Sequence, residues 1–242
     1  MEAHHLRDDV RAALPSNIIG FMDYIERFAS REIEFGFNPK PPPTEYPNSA
    51  ACYVYEDRAN ILLRKGAPIL PQDILHELLH IQRYWVEHTP QLEPLLDHES
   101  NWDITSRIEN VLEHLVIVPR EADFGFAPRP QWDETANREW SAYPWSNNTE
   151  PFSRSLGSHL GWLTCEIVAD QKIRELAKDC LIRDGAFDAA EKLRLNVKRY
   201  LGNKPKSLLF VLRAVGLPRG EFRLAYLDIK RRRKRYAKLP LL

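Results

Sequence analysis

Two histidines and a glutamate in the first half of the chain have a spacing suited to metal chemistry. His76, Glu77 and His80 belong to the sequence His-Glu-Leu-Leu-His, which has the pattern H-E-x-x-H. On a helix, residues i and i+4 lie on one face, so His76 and His80 can bind one metal ion through their imidazole nitrogens. Glu77 follows the first histidine, where a carboxylate can take a proton from an attacking water. The pattern therefore predicts a zinc-dependent hydrolytic site with Glu77 as its catalytic base.

The residues around this pattern favour a helix. Pro71 suits the first position of a helix, and Asp73 then lies in the first turn, where the helix dipole stabilises a negative charge. Apolar residues can bury much of the remaining helix surface, namely Ile74, Leu75, Leu78, Leu79 and Ile81. We therefore expect a largely buried helix that begins near Pro71 and presents both histidines to a metal ion.

A catalytic zinc ion usually has three protein ligands and one open position. Helical periodicity returns over residues 101–118, which offer Glu109, Asn110, Glu113 and His114. In one arrangement Glu109 is the third ligand and Glu113, four residues later, supports a histidine ligand. In the other arrangement His114 is the ligand and Asn110 orients it. Helical geometry does not decide between them; we take Glu109 as the expected ligand and keep His114 and Glu113 as alternatives.

The sequence after the H-E-x-x-H pattern resembles a known family. Residues 108–119 read Ile-Glu-Asn-Val-Leu-Glu-His-Leu-Val-Ile-Val-Pro. The ImmA/IrrE family of intracellular metallopeptidases has a helix of the form E-A-N-x-F-A-x-x-L-L-M-P at this place, and the asparagine, the apolar triplet and the final proline keep the same spacing. Ile108 stands where that family has glutamate, and Glu109 follows one position later. The resemblance covers residues 51–119 and implies a zincin fold and a cytoplasmic peptidase that cuts a protein partner such as a transcriptional repressor.

The order of predicted elements indicates an α+β fold. We expect a zincin-like metallohydrolase core, made of a short sheet and the H-E-x-x-H helix, followed by an all-helical C-terminal extension. Three regions are expected: an N-terminal helix and proline-rich linker in residues 1–48, the metal-binding core in residues 49–151, and the helical region with its basic tail in residues 152–242.

Patterning and turn residues also predict the individual elements. One helix or a pair of helices is expected within residues 6–35, and loops are expected at 87–97 and 120–151. Short strands are expected at 51–55 and 60–63, with residues 60–64 as the sheet edge that could pair with an extended substrate. The C-terminal helices are expected at 158–183, 186–201, 207–215 and 220–238.

Composition favours a cytoplasmic protein. Cys52, Cys165 and Cys180 are far apart, odd in number and without C-x-x-C spacing, which is typical of thiols in a reducing compartment and not of a disulfide framework. No run approaches the ~18 apolar residues of a membrane span, and the first residues have no apolar segment typical of a secretory signal. We therefore expect no membrane partner.

The charges are unevenly distributed although the net charge is zero. Residues 71–150 contain 15 acidic and 5 basic residues, whereas residues 219–242 contain 9 basic and 2 acidic residues. Six basic residues are consecutive near the C-terminus: Lys230, Arg231, Arg232, Arg233, Lys234 and Arg235. Such a run can neutralise the phosphates of nucleic acid, or it can simply be a solvated tail, and no base-reading motif accompanies it.

These observations predict a zinc-dependent metallopeptidase, a hydrolase acting on an intracellular protein. Glu77 would also return its proton to the leaving amine. The oxyanion of the transition state requires a hydrogen-bond donor, for which Tyr143, His159 and His98 are candidates. One alternative is a catalytically inactive zincin-like binding or sensor module that contacts nucleic acid through its basic C-terminus. Another is a hydrolase of small molecules or modified side chains, which would use the same metal and base.

Overall fold

The computed structural model of the chain describes residues 2–38, 50–143 and 151–241. These residues form an α+β fold in which helices predominate, so the predicted fold class is confirmed at that level. The helices are α1 (Glu2–Ala13), α2 (Ser16–Ala29), α3 (Pro71–Trp85), α4 (Glu99–Arg120), α5 (Pro130–Ser141), α6 (Pro151–Thr164), α7 (Gln171–Arg183), α8 (Phe187–Arg199) and α9 (Lys204–Ala214). The strands are β1 (Ile33–Phe37), β2 (Ala50–Val54), β3 (Ala59–Leu63), β4 (Gln91–Pro94), β5 (Phe222–Asp228) and β6 (Arg233–Ala237), and short 3-10 helices occupy Glu121–Phe124 and Arg219–Glu221.

The chain forms two compact units, neither of which is a continuous stretch of sequence. The first unit comprises Met1–Pro90, Arg120–Phe126 and Tyr226–Arg235. The second comprises Gln91–Pro119, Ala127–Ala225 and Tyr236–Leu242. After leaving the first unit at Pro90, the chain therefore returns to it twice. Among the residues described, no helix is both long and apolar enough to cross a membrane.

The N-terminal part of the first unit is a pair of helices, α1 and α2. Of the two expected possibilities, one helix or a pair of helices, the pair is therefore confirmed. Arg7 on α1 donates two hydrogen bonds of 2.9 Å to the carboxylate of Glu26 on α2. Helix α2 ends at Ala29 because Ser30 turns into the left-handed region, with a φ of 53°. The expected helical stretch over residues 6–35 is therefore too long, and Ile33 instead begins a strand.

That strand changes the predicted sheet. The sheet of the first unit has the order β1-β3-β2, with β3 parallel to β1 and antiparallel to β2. The prediction that residues 60–64 lie at the sheet edge is wrong, because β3 is the central strand and β2 is an edge. The error arose from β1, because its first residue, Ile33, also fits the helical periodicity expected within residues 6–35.

Helix α3 packs against β2 and β3 in the first unit. Trp85, at the end of the helix, is fully buried and donates a hydrogen bond from Nε1 to the backbone carbonyl of Tyr55, at 2.8 Å. A buried indole N–H without an acceptor would be costly, so this bond lets the large side chain fill the core without an energetic penalty. The contact fixes the C-terminal end of α3 against the segment between β2 and β3.

The second unit is built mainly from helices around a core that includes Trp140, Trp162, Ala177 and Leu181. The single helix expected at residues 158–183 is wrong, since α6 and α7 are separate helices. The side chain of Asp170 accepts a hydrogen bond of 2.8 Å from the backbone N–H of Lys172 and so caps the start of α7. An aspartate at this position accepts a hydrogen bond from a free N–H and so favours the start of a new helix. The apolar periodicity alone does not show this boundary.

Two segments expected to be loops contain regular structure in the second unit. Strand β4 lies within residues 87–97, and α5 lies within residues 120–151. Helix α5 begins at Pro130, and proline is well tolerated in the first turn of a helix because its missing N–H would have no partner there. Proline was thus misread as a loop signal. The remaining aromatic and proline residues at 144–150 lie outside the described residues.

The C-terminal region is not all-helical, and the helix expected at residues 220–238 is wrong. This segment forms β5 and β6, which continue the sheet in the order β4-β5-β6. Strand β5 pairs antiparallel with β4, so that Leu224 lies opposite Leu92. Buried apolar residues occur on both faces of β5, and a short run of this kind cannot be distinguished from a buried helix by its periodicity. The basic run consequently lies in a β-hairpin.

Candidate metal centre

Helix α3 has the start that the sequence predicts. Pro71 occupies the first turn directly after the extended residue Leu70, and Asp73 is the acidic residue of that turn. Both H-E-x-x-H histidines lie on this helix, and their ring centroids are 5.2 Å apart. His76 is 2% exposed, Glu77 is 6% exposed and His80 is partly buried. The three predicted residues are therefore held on one rigid and largely buried element.

Glu121, a residue that the sequence analysis did not consider, contacts the first histidine. Its Oε1 atom lies 2.7 Å from Nδ1 of His76, and its Oε2 atom accepts a hydrogen bond of 2.6 Å from Nε2 of Gln72. A carboxylate at Nδ1 requires that this nitrogen carry the proton, so the lone pair of the His76 ring is on Nε2. Carboxylates commonly fix metal-binding histidines in this way, which also makes the ring more basic.

The sequence contains only a weak signal for this contact. Glu121 comes directly after α4, in the 3-10 helix Glu121–Phe124, within the stretch that was expected to be a loop. Only 2% of its surface is exposed, but an acidic residue directly after a helix normally suggests a solvated position. A search for carboxylates just after α4, in addition to those inside it, would have included Glu121.

Three histidines could together hold a metal ion. One nitrogen atom from each of His76, His80 and His114 lies within 4.8 Å of the others. His114 is 8% exposed, and its ring lies against that of Trp132 with centroids 4.8 Å apart. The group contains both histidines of the H-E-x-x-H pattern and the histidine that was the alternative third ligand. These three histidines therefore form a group that could hold a metal ion.

The other two candidates for the third ligand contact a lysine. In the second unit, Nζ of Lys204 lies 2.6 Å from Oε2 of Glu109 and 2.7 Å from Oε1 of Glu113. Oε1 of Glu109 accepts a further hydrogen bond of 3.0 Å from the backbone N–H of Leu92. Burial raises the pKa of Glu109, and the neighbouring Glu113 adds to this, while Lys204 opposes it. Glu109 and Glu113 therefore lie on one face of α4, as expected for residues four positions apart. Both carboxylates contact the buried ammonium group of Lys204.

No spacing rule connects these three residues, because Lys204 lies 95 residues after Glu109. Lys204 begins α9, directly after Asn203, whose side chain caps that helix. A lysine at the start of a helix is expected to be a surface residue, yet only 4% of Lys204 is exposed. The contact could only have been found from the tertiary fold.

The three candidates for oxyanion stabilisation have other contacts. The hydroxyl of Tyr143 donates to the carboxylate of Asp184, and burial together with this bond raises the pKa of Tyr143 to about 12. Nδ1 of His159 donates to the backbone carbonyl of Ser155 at 2.7 Å. His98 is exposed, and its Nδ1 lies 2.8 Å from Oγ of Ser100. None of the three belongs to the histidine group.

Comparisons with known proteins do not assign this centre to a family. A scan against protein-family models finds no match, and neither a search of curated proteins nor one of solved structures finds a similar chain.

Proposed function

We propose that the chain is a zinc-dependent hydrolase of the zincin type that cleaves peptide bonds, with His76, His80 and His114 as metal ligands and Glu77 as catalytic base. The observation that supports this most strongly is the convergence of the three histidines. The hydrogen bond from His76 to Glu121 adds to it, because a metal ligand needs a fixed tautomer. His114, the alternative third ligand from the sequence, replaces Glu109 in this proposal.

The donor atoms fit zinc and other imidazole-binding transition metals better than calcium or magnesium. Three neutral imidazoles suit zinc, copper, iron or nickel, whereas calcium and magnesium prefer oxygen ligands. Catalytic zinc typically has three protein ligands, so a group of three histidines leaves a position for water or substrate. Glu109 is a weaker candidate than His114, since both of its carboxylate oxygens already accept hydrogen bonds.

Each residue of the centre has a distinct task in this proposal. A bound zinc ion would act as a Lewis acid that polarises the scissile carbonyl and favours ionisation of water. Glu77, next to His76 and largely buried, takes the proton of the attacking water and delivers it to the leaving nitrogen. Glu121 holds His76 in the tautomer that has its lone pair on Nε2. Gln72 keeps the Glu121 carboxylate in place by donating to its second oxygen.

A peptide substrate is supported by the resemblance to intracellular metallopeptidases and by the position of β2. This strand lies at an edge of the first sheet and packs against α3. Edge strands bind extended peptides through backbone hydrogen bonds, so β2 takes the place that the sequence analysis gave to residues 60–64. A cytoplasmic protein partner remains part of the proposal, on the basis of the cysteine pattern.

Metal content tests the proposed ligands. The full chain, purified without chelators, should contain about one zinc per chain by elemental analysis. The variants His76→Ala, His80→Ala and His114→Ala should lose it, whereas Glu109→Gln should retain it. Zinc that stays in His114→Ala and is lost in Glu109→Gln would identify Glu109 as the third ligand. A wild-type chain without metal would overturn the proposed centre.

Peptide cleavage tests the proposed reaction. Zinc-loaded chain is incubated with a mixture of proteome-derived peptides, and new termini are identified by mass spectrometry. Glu77→Gln should retain zinc and lose cleavage by a factor of about a hundred or more. Glu32→Gln removes the same charge at an exposed position on the first unit and should cleave like the wild type. Equal cleavage by Glu77→Gln would overturn the mechanism, and bound zinc without any cleavage would favour the binding module.

A further inference from the structure

The basic run forms the tip of a hairpin in the first unit. We define the basic hairpin as residues 228–235, which include the end of β5, the turn and the start of β6. Lys230, Arg231 and Arg232 lie in the turn, and Arg233 begins β6. These four side chains are all exposed. The fold therefore presents consecutive positive charges on a two-stranded ribbon and not on a helix face.

Neighbouring acidic groups neutralise little of this charge. Asp228 pairs with Arg235, with Nε 3.7 Å from Oδ2. Within the described residues, no carboxylate forms an ion pair with Lys230, Arg231, Arg232 or Arg233. The part of the chain that the structure describes thus provides no carboxylate counterion for these four positive charges. Solvent and dissolved anions are left to screen them.

Placing these charges on an ordered turn has a conformational cost. Like charges that face each other across a hairpin destabilise it. Arg232 has a φ of 51°, in the left-handed region that residues other than glycine, asparagine and aspartate seldom adopt. A run that serves only for solubility needs no such ordered arrangement and is often a disordered tail. A ligand that neutralises the tip would relieve the repulsion.

The chemistry of the tip selects the kind of ligand. Arginine outnumbers lysine in the run, and the guanidinium group binds phosphate oxygens with two parallel hydrogen bonds. A two-stranded ribbon fits the major groove of a nucleic-acid duplex. The tip has no apolar side chain to insert among lipid chains, since residues 230–233 are all charged. A regularly spaced row of phosphodiesters therefore matches this surface better than a membrane.

We propose that the basic hairpin binds duplex nucleic acid through its phosphate backbone. Lys230, Arg231, Arg232 and Arg233 provide the contacts, and binding is independent of base sequence because phosphates carry no sequence information. This binding does not depend on the metal centre. A chain without zinc ligands should bind in the same way if its fold is intact.

The experiment is a titration of a fluorescein-labelled DNA duplex of about two helical turns with the full chain, followed by anisotropy. Raising the salt concentration from about 50 to 200 mM should weaken wild-type binding about a hundredfold if four phosphates are neutralised. The variant Arg231→Glu, Arg232→Glu, Arg233→Glu should bind at least tenfold more weakly at low salt, with a salt slope smaller by about three.

A matched control separates the hairpin from overall charge. The variant Lys65→Glu, Lys172→Glu, Lys192→Glu makes the same change in net charge at three exposed positions elsewhere. It should bind like the wild type at moderate salt. Equal losses in the two triple variants, or wild-type binding that does not respond to salt, would overturn the proposal.

Two further experiments test whether the hairpin variants misfold and whether an anionic membrane is the preferred ligand. Arg231→Gln with Arg233→Gln leaves the strained Arg232 unchanged and should lower the salt slope by about two, with an unaltered circular dichroism spectrum. Vesicles containing phosphatidylserine should bind more weakly than the duplex. Vesicle binding that is tighter than duplex binding and is lost in the hairpin variants would assign the surface to anionic membranes instead.

Discussion

Nδ1 of His76 lies 2.7 Å from Oε1 of Glu121, and each of the two side chains is only 3% exposed. The carboxylate also accepts a hydrogen bond from Gln72, so its own orientation is fixed. The imidazole N–H donates to the carboxylate, so each of the two buried polar groups has a hydrogen-bond partner. This pair is the most specific feature of the candidate centre that the sequence pattern does not contain.

Replacing Glu121 should weaken metal binding without removing a ligand. In Glu121→Gln the amide is a poorer acceptor for the His76 N–H, and we expect a zinc affinity about 10 to 100 times lower. Competition with a chromophoric chelator measures this change. Asp123→Asn, an exposed carboxylate on the same 3-10 helix, removes the same charge and should bind zinc like the wild type. Unchanged affinity in Glu121→Gln would show that the contact does not support a metal ligand.

Removing the shared lysine should strongly destabilise the second unit. In Lys204→Met the carboxylates of Glu109 and Glu113, which are 14% and 1% exposed, lose their counterion, at a cost of about 3–5 kcal/mol in the free energy of unfolding. Urea unfolding in the presence of EDTA measures this without a contribution from bound metal. Adding Glu109→Gln and Glu113→Gln to Lys204→Met should restore part of the loss.

The matched control for this experiment is Lys192→Met, an exposed lysine on α8. Its effect should be within about 0.5 kcal/mol, as is usual for surface positions. If Lys204→Met were as mild as Lys192→Met, Lys204, Glu109 and Glu113 would not form an ionic cluster in solution.

Tyr143 should make stability fall at alkaline pH. Burial and the hydrogen bond to Asp184 raise the pKa of Tyr143 to about 12, above its ordinary value of 10.0. Between these two values the folded chain keeps the phenolic proton while the unfolded chain releases it, so stability is lost as the pH rises from 10 towards 12. Below pH 10 this contribution is fully present.

Urea unfolding across this pH range compares the wild type with Tyr143→Phe. The variant should lose less stability between neutral and strongly alkaline pH, because it has no phenol to ionise at this position. Tyr24→Phe, at an exposed tyrosine, serves as the control and should retain the wild-type slope. Parallel slopes in Tyr143→Phe and wild type would contradict the raised pKa.

Sequence patterns predicted the elements that local chemistry defines. The H-E-x-x-H helix begins at the proline and contains the acidic first-turn residue that the sequence indicates. Its histidines belong to a group that could hold a metal ion, as expected. Helical spacing also placed Glu109 and Glu113 on one face of α4. These properties depend on residues within a few positions of one another, which is the range over which periodicity and capping operate.

Contacts between distant parts of the chain were not predictable in the same way. Lys204 reaches Glu109 across 95 residues, and Glu121 reaches His76 across 45. Strands β1 and β5 fall in segments that the apolar spacing predicts to be helical. In β1 the buried residues Ile33 and Phe35 lie on one face, whereas β5 has buried apolar residues on both faces. In each case the tertiary fold determines which residues are buried. Burial in turn determines which partner a charged residue contacts and whether an apolar segment forms a strand or a helix.

The first unit is complete only with two later segments of the chain, Arg120–Phe126 and Tyr226–Arg235. A gene fragment ending at residue 119 would encode His76 without Glu121, and one beginning at residue 127 would encode the second unit without β4. Each unit is encoded by three separate stretches of the gene. A single recombination event that exchanges one continuous stretch therefore cannot transfer either unit by itself. The H-E-x-x-H helix and the helices of the second unit are therefore expected to be inherited together.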